Sequence, residues 1–487
     1  NEFYDRRNLS SMNVLQLFMT QDEMKEMVND FIEKRVPERN GSNTDREQIK
    51  KIADGFPGMA VLLVEEYLKE QHIDVHTVDH VVKKLLKFEE GHESEQEIVM
   101  RSLSLFQPFP YRNEYKEAYR FIRNDEGITP LYGKSPEEKR HLFSHTINLY
   151  DNSLIEITQS WLNVRPFPLA VWLVGKWFED DPDEERMVGI VERIQALDKP
   201  LYTVVRDGLY KRLDYMQDSE SAQDLIQRLA GEAHAPFCNE KVVCSDLGSR
   251  LFLAMSSVNP GAIASCLYRV LLPKGVAWAK DNIIKEIRRN LIWSLEKLCF
   301  SKESYQDGSK VLALLAAAEN ETWGNNATGQ FKQLFHIMLP GTEATLQERL
   351  ETLHYLKISG KEYEELALEC FDRAFDNGSF VRDGSGAQFG LQRKTDYMPK
   401  SNIEIVEYWE QCRDMLMSWL EEDKDILERT AKLSTSHAFR WAYDGMLGRM
   451  LPLLNMIADM KGGRWEEMYT ALNKVNESRL SVYQQDV

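Results

Sequence analysis

The chain has 487 residues, of which 43% are hydrophobic and 28% charged, and its formal net charge is −18. That length is more than one core fills and points to two to four domains. No apolar run reaches the ~18 to 20 residues of a bilayer span and no charged-then-apolar leader opens the sequence, so no membrane partner and a cytoplasmic location are expected. The acidic balance repels phosphate backbones, which argues against a nucleic-acid binder and for a protein partner. Residue 1 is Asn and the first segment starts mid-pattern, as in a piece of a longer chain.

Residues 12–90 give helical patterns in "VLQLFM", "TQDEMKEMVNDFIEKRV", "REQIKKIADGFPGMAVLLVEEYLKE" and "VDHVVKKLLKFEEG". Thr20 or Gln21 with Glu23 offers a helix start, and Pro37 followed by "NGSN" a stop. Within the third pattern, Gly55, Pro57 and Gly58 cost a helix stability and call for a local reason. In "QHIDVHTVDH", His72, His76 and His80 share one helical face with Asp79 alongside, but no outer partners for a metal are recognisable and a solvated helix is the expected state.

Residues 95–178 differ in character. "EQEIVMRSLSLFQPF", "NEYKEAYRFIRND" and "SPEEKRHLFSHTINLY" read as three short helices, the last opened by Ser135 ahead of Pro136. "NSLIEITQSWLNVRPF" then reads as a β-hairpin rich in Ile, Trp and Val. Three helices and a hairpin follow the winged-helix order. The third helix mixes Lys139, Arg140 and His141 with two acids, which favours a structural winged helix over a DNA reader. "LAVWLVGKWFEDD" imitates an apolar strand ending in acidic ligands, yet Leu169, Trp172, Leu173, Lys176 and Trp177 keep helical spacing and predict a buried helix with an acidic tail.

From about residue 185 the pattern is helical to the end, with turn signals every 15 to 25 residues. "SDLGSRLFLAMSSVNPGAIASCLYRVL" shows the unit: an amphipathic helix, a corner at "VNPG" where Pro260 starts the next helix, and a second apolar face. Stacked helix pairs of this kind make an α-solenoid, here without a strict period. Trp293, Trp323, Trp409 and Trp419 lie at helical spacing and are expected in its core.

Catalytic signatures are missing. The chain contains no GxxxxGK(S/T) phosphate loop, no GxSxG elbow and no HExxH helix. The glycine-rich "DNGSFVRDGSGAQFG" at 376–390 lacks a Lys-Ser/Thr pair and reads as a loop. Six cysteines lie far apart at Cys238, Cys244, Cys266, Cys299, Cys370 and Cys412. "HAPFCNEKVVC" lacks the paired spacing of a zinc site, so buried thiols and no metal are expected. No residue is singled out as catalytic.

The stretch "ADGFPGMAVLL", in a helical region just ahead of a winged-helix pattern, resembles the GxP motif of STAND nucleotide-switch ATPases, the class of the NB-ARC proteins. "LNVRPFPLAVWL", "SSVNPGAIASCL" and "ENETWGNNATGQFKQLFHIMLPGTEATLQERLETL" look like segments of the large bacterial antiviral STAND proteins called Avs. The resemblance runs in order from about residue 12 to 420. It implies a mainly α architecture: a helical lid remnant over 1–92, a small winged-helix domain over 93–184, and an irregular TPR-like α-solenoid sensor over 185–487. It further implies that Gly55, Phe56 and Pro57 meet the adenine of ATP or ADP in a full-length parent, the proline packing on the base.

The phosphate loop and its acidic partner are absent, so this chain alone is expected to hold no nucleotide and to be no enzyme. The family's β-phosphate histidine has no counterpart at "NVRPFPLA". Arg165 stands near that place, a candidate for a phosphate contact and equally for a hairpin-end charge. The implied partners are a foreign protein, such as a phage terminase or portal, together with upstream ATPase and effector domains and an oligomer in the activated state. A constitutive α-solenoid scaffold with no nucleotide link is the alternative.

Overall fold

The computed structural model describes residues 21–36, 43–70, 75–86, 93–151, 153–180, 183–322, 326–376, 388–389 and 392–485. "VLQLFM", His72, Trp323 and most of 376–390 lie outside them. Two compact units divide between Leu225 and Ile226. Both are mainly helical, and among the described residues no helix is long and apolar enough to cross a membrane.

The first unit opens with α1 (Gln21–Arg35), α2 (Asn43–Ala53), α3 (Pro57–Glu70) and α4 (Val75–Leu86). Helices α1, α2 and α3 pack on one another and α4 packs on α3, burying Ile32, Ile49, Leu63, Val81 and Leu86. The pattern at 46–70 is thus two helices, broken at Asp54-Gly55-Phe56.

Next come α5 (Glu93–Ser104), β1 (Phe109–Pro110), α6 (Lys116–Asn124), α7 (Pro136–Tyr150), β2 (Ile155–Thr158), β3 (Trp161–Val164) and α8 (Phe167–Glu179). Ser135 opens α7 with a full capping box: its side chain accepts from the Glu138 amide, and Glu138 reaches back to the Ser135 amide. The hairpin forms as its β-branched residues predict, with Ile155 opposite Val164 and Thr158 opposite Trp161. A third strand that the sequence pattern did not signal, β1, pairs antiparallel with β3 and sets Phe109 opposite Leu162, for a sheet order of β1-β3-β2.

Helix α5 packs on both α7 and α8. Trp177 of α8 is buried, its indole N–H donating to Ile128 O at 2.9 Å while the Arg186 guanidinium lies over its ring. The unit closes with α9 (Glu184–Gln195), α10 (Lys199–Leu213), which packs against α6 and β1, and α11 (Glu220–Ile226).

The second unit is a succession of helices: α12 (Glu240–Val243), α13 (Asp246–Met255), α14 (Pro260–Leu271), α15 (Gly275–Asn282), α16 (Lys285–Phe300), α17 (Tyr305–Ala317), α18 (Ala327–Gln333), α19 (Leu346–Ile358) and α20 (Glu364–Ala374), then α21 (Asn402–Glu422), α22 (Leu427–Tyr443), α23 (Leu447–Met460) and α24 (Glu466–Gln485). Each packs chiefly on helices near it in sequence, as in α13 with α16, α16 with α17, α17 with α18, α19 with α21 and α21 with α23.

The "VNPG" corner forms as its chemistry requires, with Asn259 capping α14 and Pro260 at its first position. Small polar residues line the close contact of α13 with α16. Asn290 Nδ2 donates to Ser249 Oγ at 3.0 Å, and the Ser256 and Ser294 hydroxyls meet at 2.5 Å. Two short strands, β4 (Gln388–Phe389) and β5 (Gln392–Arg393), interrupt the helical pattern at the end of the glycine-rich stretch. Trp409 and Trp419 are buried as expected, but Trp293 is 39% exposed.

Candidate functional site

Gly55, Phe56 and Pro57 form the corner between α2 and α3. Asp54 and Gly55 both take positive φ, +46° and +74°, which ends α2. The Phe56 amide donates to Ala53 O at 2.7 Å, Phe56 O accepts from Ala60 N at 3.0 Å, and Pro57 is the first residue of α3. A Cβ on Gly55 would lie 3.1 Å from the Cα and Cβ of Lys25 on α1, and one on Gly58 would lie 3.2 Å from the Phe56 ring. Both glycines therefore have a packing reason to be there, and Pro57 supplies a preset φ with no amide to satisfy. Phe56 and Pro57 remain half-buried.

Beside this corner the face of α1 forms a shallow groove lined by Asp22, Lys25, Glu26, Asn29, Asp30 and Glu33. Four carboxylates against one ammonium suit no phosphate.

Arg165 sits elsewhere in the unit. Its Nε pairs with Glu156 Oε2 of the neighbouring strand at 2.5 Å, and its amide donates to Leu154 O at 2.7 Å. The principal packing partners of α3 are α1, α2 and α4, whereas those of β3 are β1, β2, α5 and α8. The corner and Arg165 therefore belong to different packing groups.

The basic residues of α7 offer no free stripe. Lys139 is buried with its Nζ 3.5 Å from Glu126, and Glu137 pairs with Arg140 and lies 3.5 Å from His141. No group of three or more metal-ligating side chains occurs among the described residues. The six cysteines are free thiols, four of them buried, and burial pushes the half-buried Cys244 up to about 11. His80 is exposed, 4.0 Å from Glu66. In the second unit, a cavity lined by residues including Glu296, Cys299, Gln330 and Gln333 holds about 10 Å³, room for one water.

Glu66 ties α3 to α4, and its side chain is only 9% exposed. It accepts from Lys84 of α4 at 2.7 Å and from Lys69 at 2.9 Å. Hydrogen bonds from these two ammonium groups hold its carboxyl at about 2, below the ordinary 4.5. An unfolded chain takes up this proton at a higher pH than the folded one. The stabilisation is therefore complete above pH 4.5 and is lost as the pH falls toward 2. Glu66→Gln is expected to lower the thermal midpoint at neutral pH and to converge with the parent in acid. A gap that stays constant down to pH 2 would assign Glu66 a purely steric role.

No family model, no curated protein and no solved structure matches this chain.

Proposed function

We propose that this chain is the sensor and regulatory part of a STAND-type nucleotide switch. In this reading residues 1–92 are the lid remnant, 93–184 a winged-helix domain and 185–487 a TPR-like helical sensor. The observation that carries it is the order of elements. A glycine-proline corner in a small helical cluster precedes α5-β1-α6-α7-β2-β3, whose strands pair β1-β3-β2, and helices packed on near neighbours follow.

That order supports a winged helix, and the occupied basic residues of α7 support a structural role for it. The half-buried Pro57 leaves ring surface that a flat base from a neighbouring ATPase module can cover. The function is binding of a foreign protein, of the phage terminase or portal class, by the helical array. Binding then favours an open, oligomer-competent arrangement of the parent. The chain alone is proposed to be no enzyme, because its sequence carries no GxxxxGK(S/T) loop of the kind that cradles a phosphate chain and holds magnesium.

The test presents the immobilised 487-residue chain with purified phage terminase and portal proteins. Saturable capture of one of them is expected, with Pro57→Ala leaving that capture unchanged. Capture of none, with the chain folded by a cooperative melt, would favour the constitutive scaffold.

A further inference from the structure

Cys266 lies in the middle of α14 and is fully buried, whereas Cys238, just ahead of α12, is half-buried between the exposed Pro236 and Asn239. Far apart in sequence, the two meet in the fold. Helix α14 packs on the π-helical turn Gln227–Gly231, and the guanidinium of its Arg269 donates to Gly231 O. The chain then returns to both: the Phe237 amide donates to Leu229 O at 2.8 Å, and the Cys266 thiol donates to Phe237 O at 3.8 Å. That carbonyl belongs to the peptide unit that ends at the Cys238 Cα, which brings this Cα within ~7 Å of the Cys266 sulfur. Burial raises the Cys266 thiol most; the Cys238 thiol, which hydrogen-bonds with it, raises it further, and the Arg269 charge opposes both.

The segment around Cys238 is held from both sides. Its amide donates to Ala235 O at 2.9 Å, while Asn239 caps α12 by accepting from the Val242 amide, and α12 packs on α13 and α14. A thiol fixed beside its neighbour needs little backbone movement to bond with it, which is the first demand of a disulfide. The other buried thiols meet different groups: Cys299 has Glu296 beside it, Cys370 has Glu369, Lys332 and Arg373, and Cys412 has Tyr408. The exposures of Cys238 and Cys266 also divide the labour. An oxidant reaches the half-buried sulfur first, and the buried one stands behind it to resolve the product.

We propose that Cys238 and Cys266 are a redox-responsive pair that a hydroperoxide closes into a reversible disulfide, stapling the segment ahead of α12 to α14. The Cys238 sulfur attacks a peroxide oxygen, the O–O bond breaks, and one water leaves with the thiol proton. The sulfenic acid that forms is then attacked by the Cys266 sulfur. The S–O bond breaks, and its oxygen departs as a second water carrying the Cys266 proton and the sulfenic one. Two thiols are oxidised and one peroxide is reduced. The inference is independent of what the helical array binds and of the corner at Pro57.

The experiment treats the reduced 487-residue chain with stoichiometric hydrogen peroxide, blocks the remaining thiols in denaturant and maps the peptides without reductant. A peptide joining Cys238 to Cys266 is expected, with two fewer alkylated thiols than in the untreated chain and full recovery after dithiothreitol. Because the link closes a loop of about 30 residues, amide exchange of α12 and α13 should slow by roughly tenfold or more on oxidation. Cys266→Ala should leave Cys238 as a sulfenic acid that dimedone traps, and Cys238→Ala should abolish both the link and the trapping.

The map of the parent decides first. All thiols still alkylated, a link to any other cysteine, or a link between two chains overturns the pair, whether or not the variants fold. Equal dimedone labelling of Cys238 in the parent and in Cys266→Ala overturns Cys266 as the resolving thiol. Exchange in α12 and α13 unchanged by the mapped disulfide overturns the staple.

Discussion

Gly248→Ala is expected to destabilise the second unit by about 3 kcal/mol or more, although alanine is ordinarily the better helix former by roughly 1 kcal/mol. The reversal comes from what stands beside the residue. A Cβ at Gly248 would lie 1.9 Å from Val242 O and 2.8 Å from its carbonyl carbon. Neither atom belongs to a side chain that can swing away. Val242 O also accepts from Ser245 Oγ at 2.9 Å, and Ser245 Oγ in turn accepts from the Gly248 amide at 2.9 Å as the cap of α13. Moving α12 to admit a methyl group would break that cap as well. Gly175, in α8, has nothing within 4 Å of an added Cβ, and there alanine should be neutral or stabilising. Thermal melts of the two variants against the parent make the comparison. A Gly248→Ala chain that melts with the parent would show that α12 and α13 part easily.

The same stretch shows where the sequence speaks and where it stops. "SDLGSRLFLAMSSVNPGAIASCLYRVL" carries both helices and the Asn259-Pro260 corner in its periodicity and capping residues, because these depend on neighbours three or four positions away. The crowding at Gly248 involves a separate helix and leaves no local mark. Ser135-Pro136, the Ile155–Val164 hairpin and the helix over Phe167–Glu179 were legible for the same local reason. Strand β1 was not: two residues, one of them proline, make a strand only because Trp161 and Leu162 lie opposite.

At the candidate sites the pattern is similar. The glycine-proline corner announces itself in composition, and α3 begins where Pro57 fixes φ. The meeting of Cys238 with Cys266 comes from the packing of α14 on the turn Gln227–Gly231 and could not be read from "HAPFCNEKVVC". Arg288 was more accessible than that. In "KEIRRNLIWSLEKLCF" it shares a helical face with Leu291, Ile292 and Leu295, all fully buried, while Arg289 points away.

That buried Arg288 makes Glu319→Ala the second substitution with a large expected effect, about 3–5 kcal/mol, because it strands a charge in the core. Arg288 is 0% exposed, and its Nη2 donates to Leu315 O at 2.8 Å and to Glu319 Oε1 at 2.9 Å, while Nε and Nη1 have no acceptor among the described residues. Glu319 serves more than the arginine. Its Oε1 also accepts from the amides of Asn320 and Glu321 at 3.1 and 3.2 Å, and its Oε2 from the Thr328 amide at 3.1 Å and hydroxyl at 3.3 Å. One carboxylate thus joins α16, the end of α17 and the start of α18.

Glu319→Gln keeps the volume and an acceptor and should cost less, about 1.5–3 kcal/mol, the value of hydrogen bonds to a charged group. Arg288→Met removes the cation together with its need for a partner and should cost least, since a buried ion pair replaced by apolar volume is often near neutral. In Arg288→Met/Glu319→Ala the loss should be much smaller than for Glu319→Ala alone. Amide exchange of α16, α17 and α18 reads these differences where they arise, without requiring the whole chain to unfold in one step. If Glu319→Ala and the double variant lose protection equally, the carboxylate holds the helices through Thr328 and the turn amides, and the arginine charge is solvated by other means.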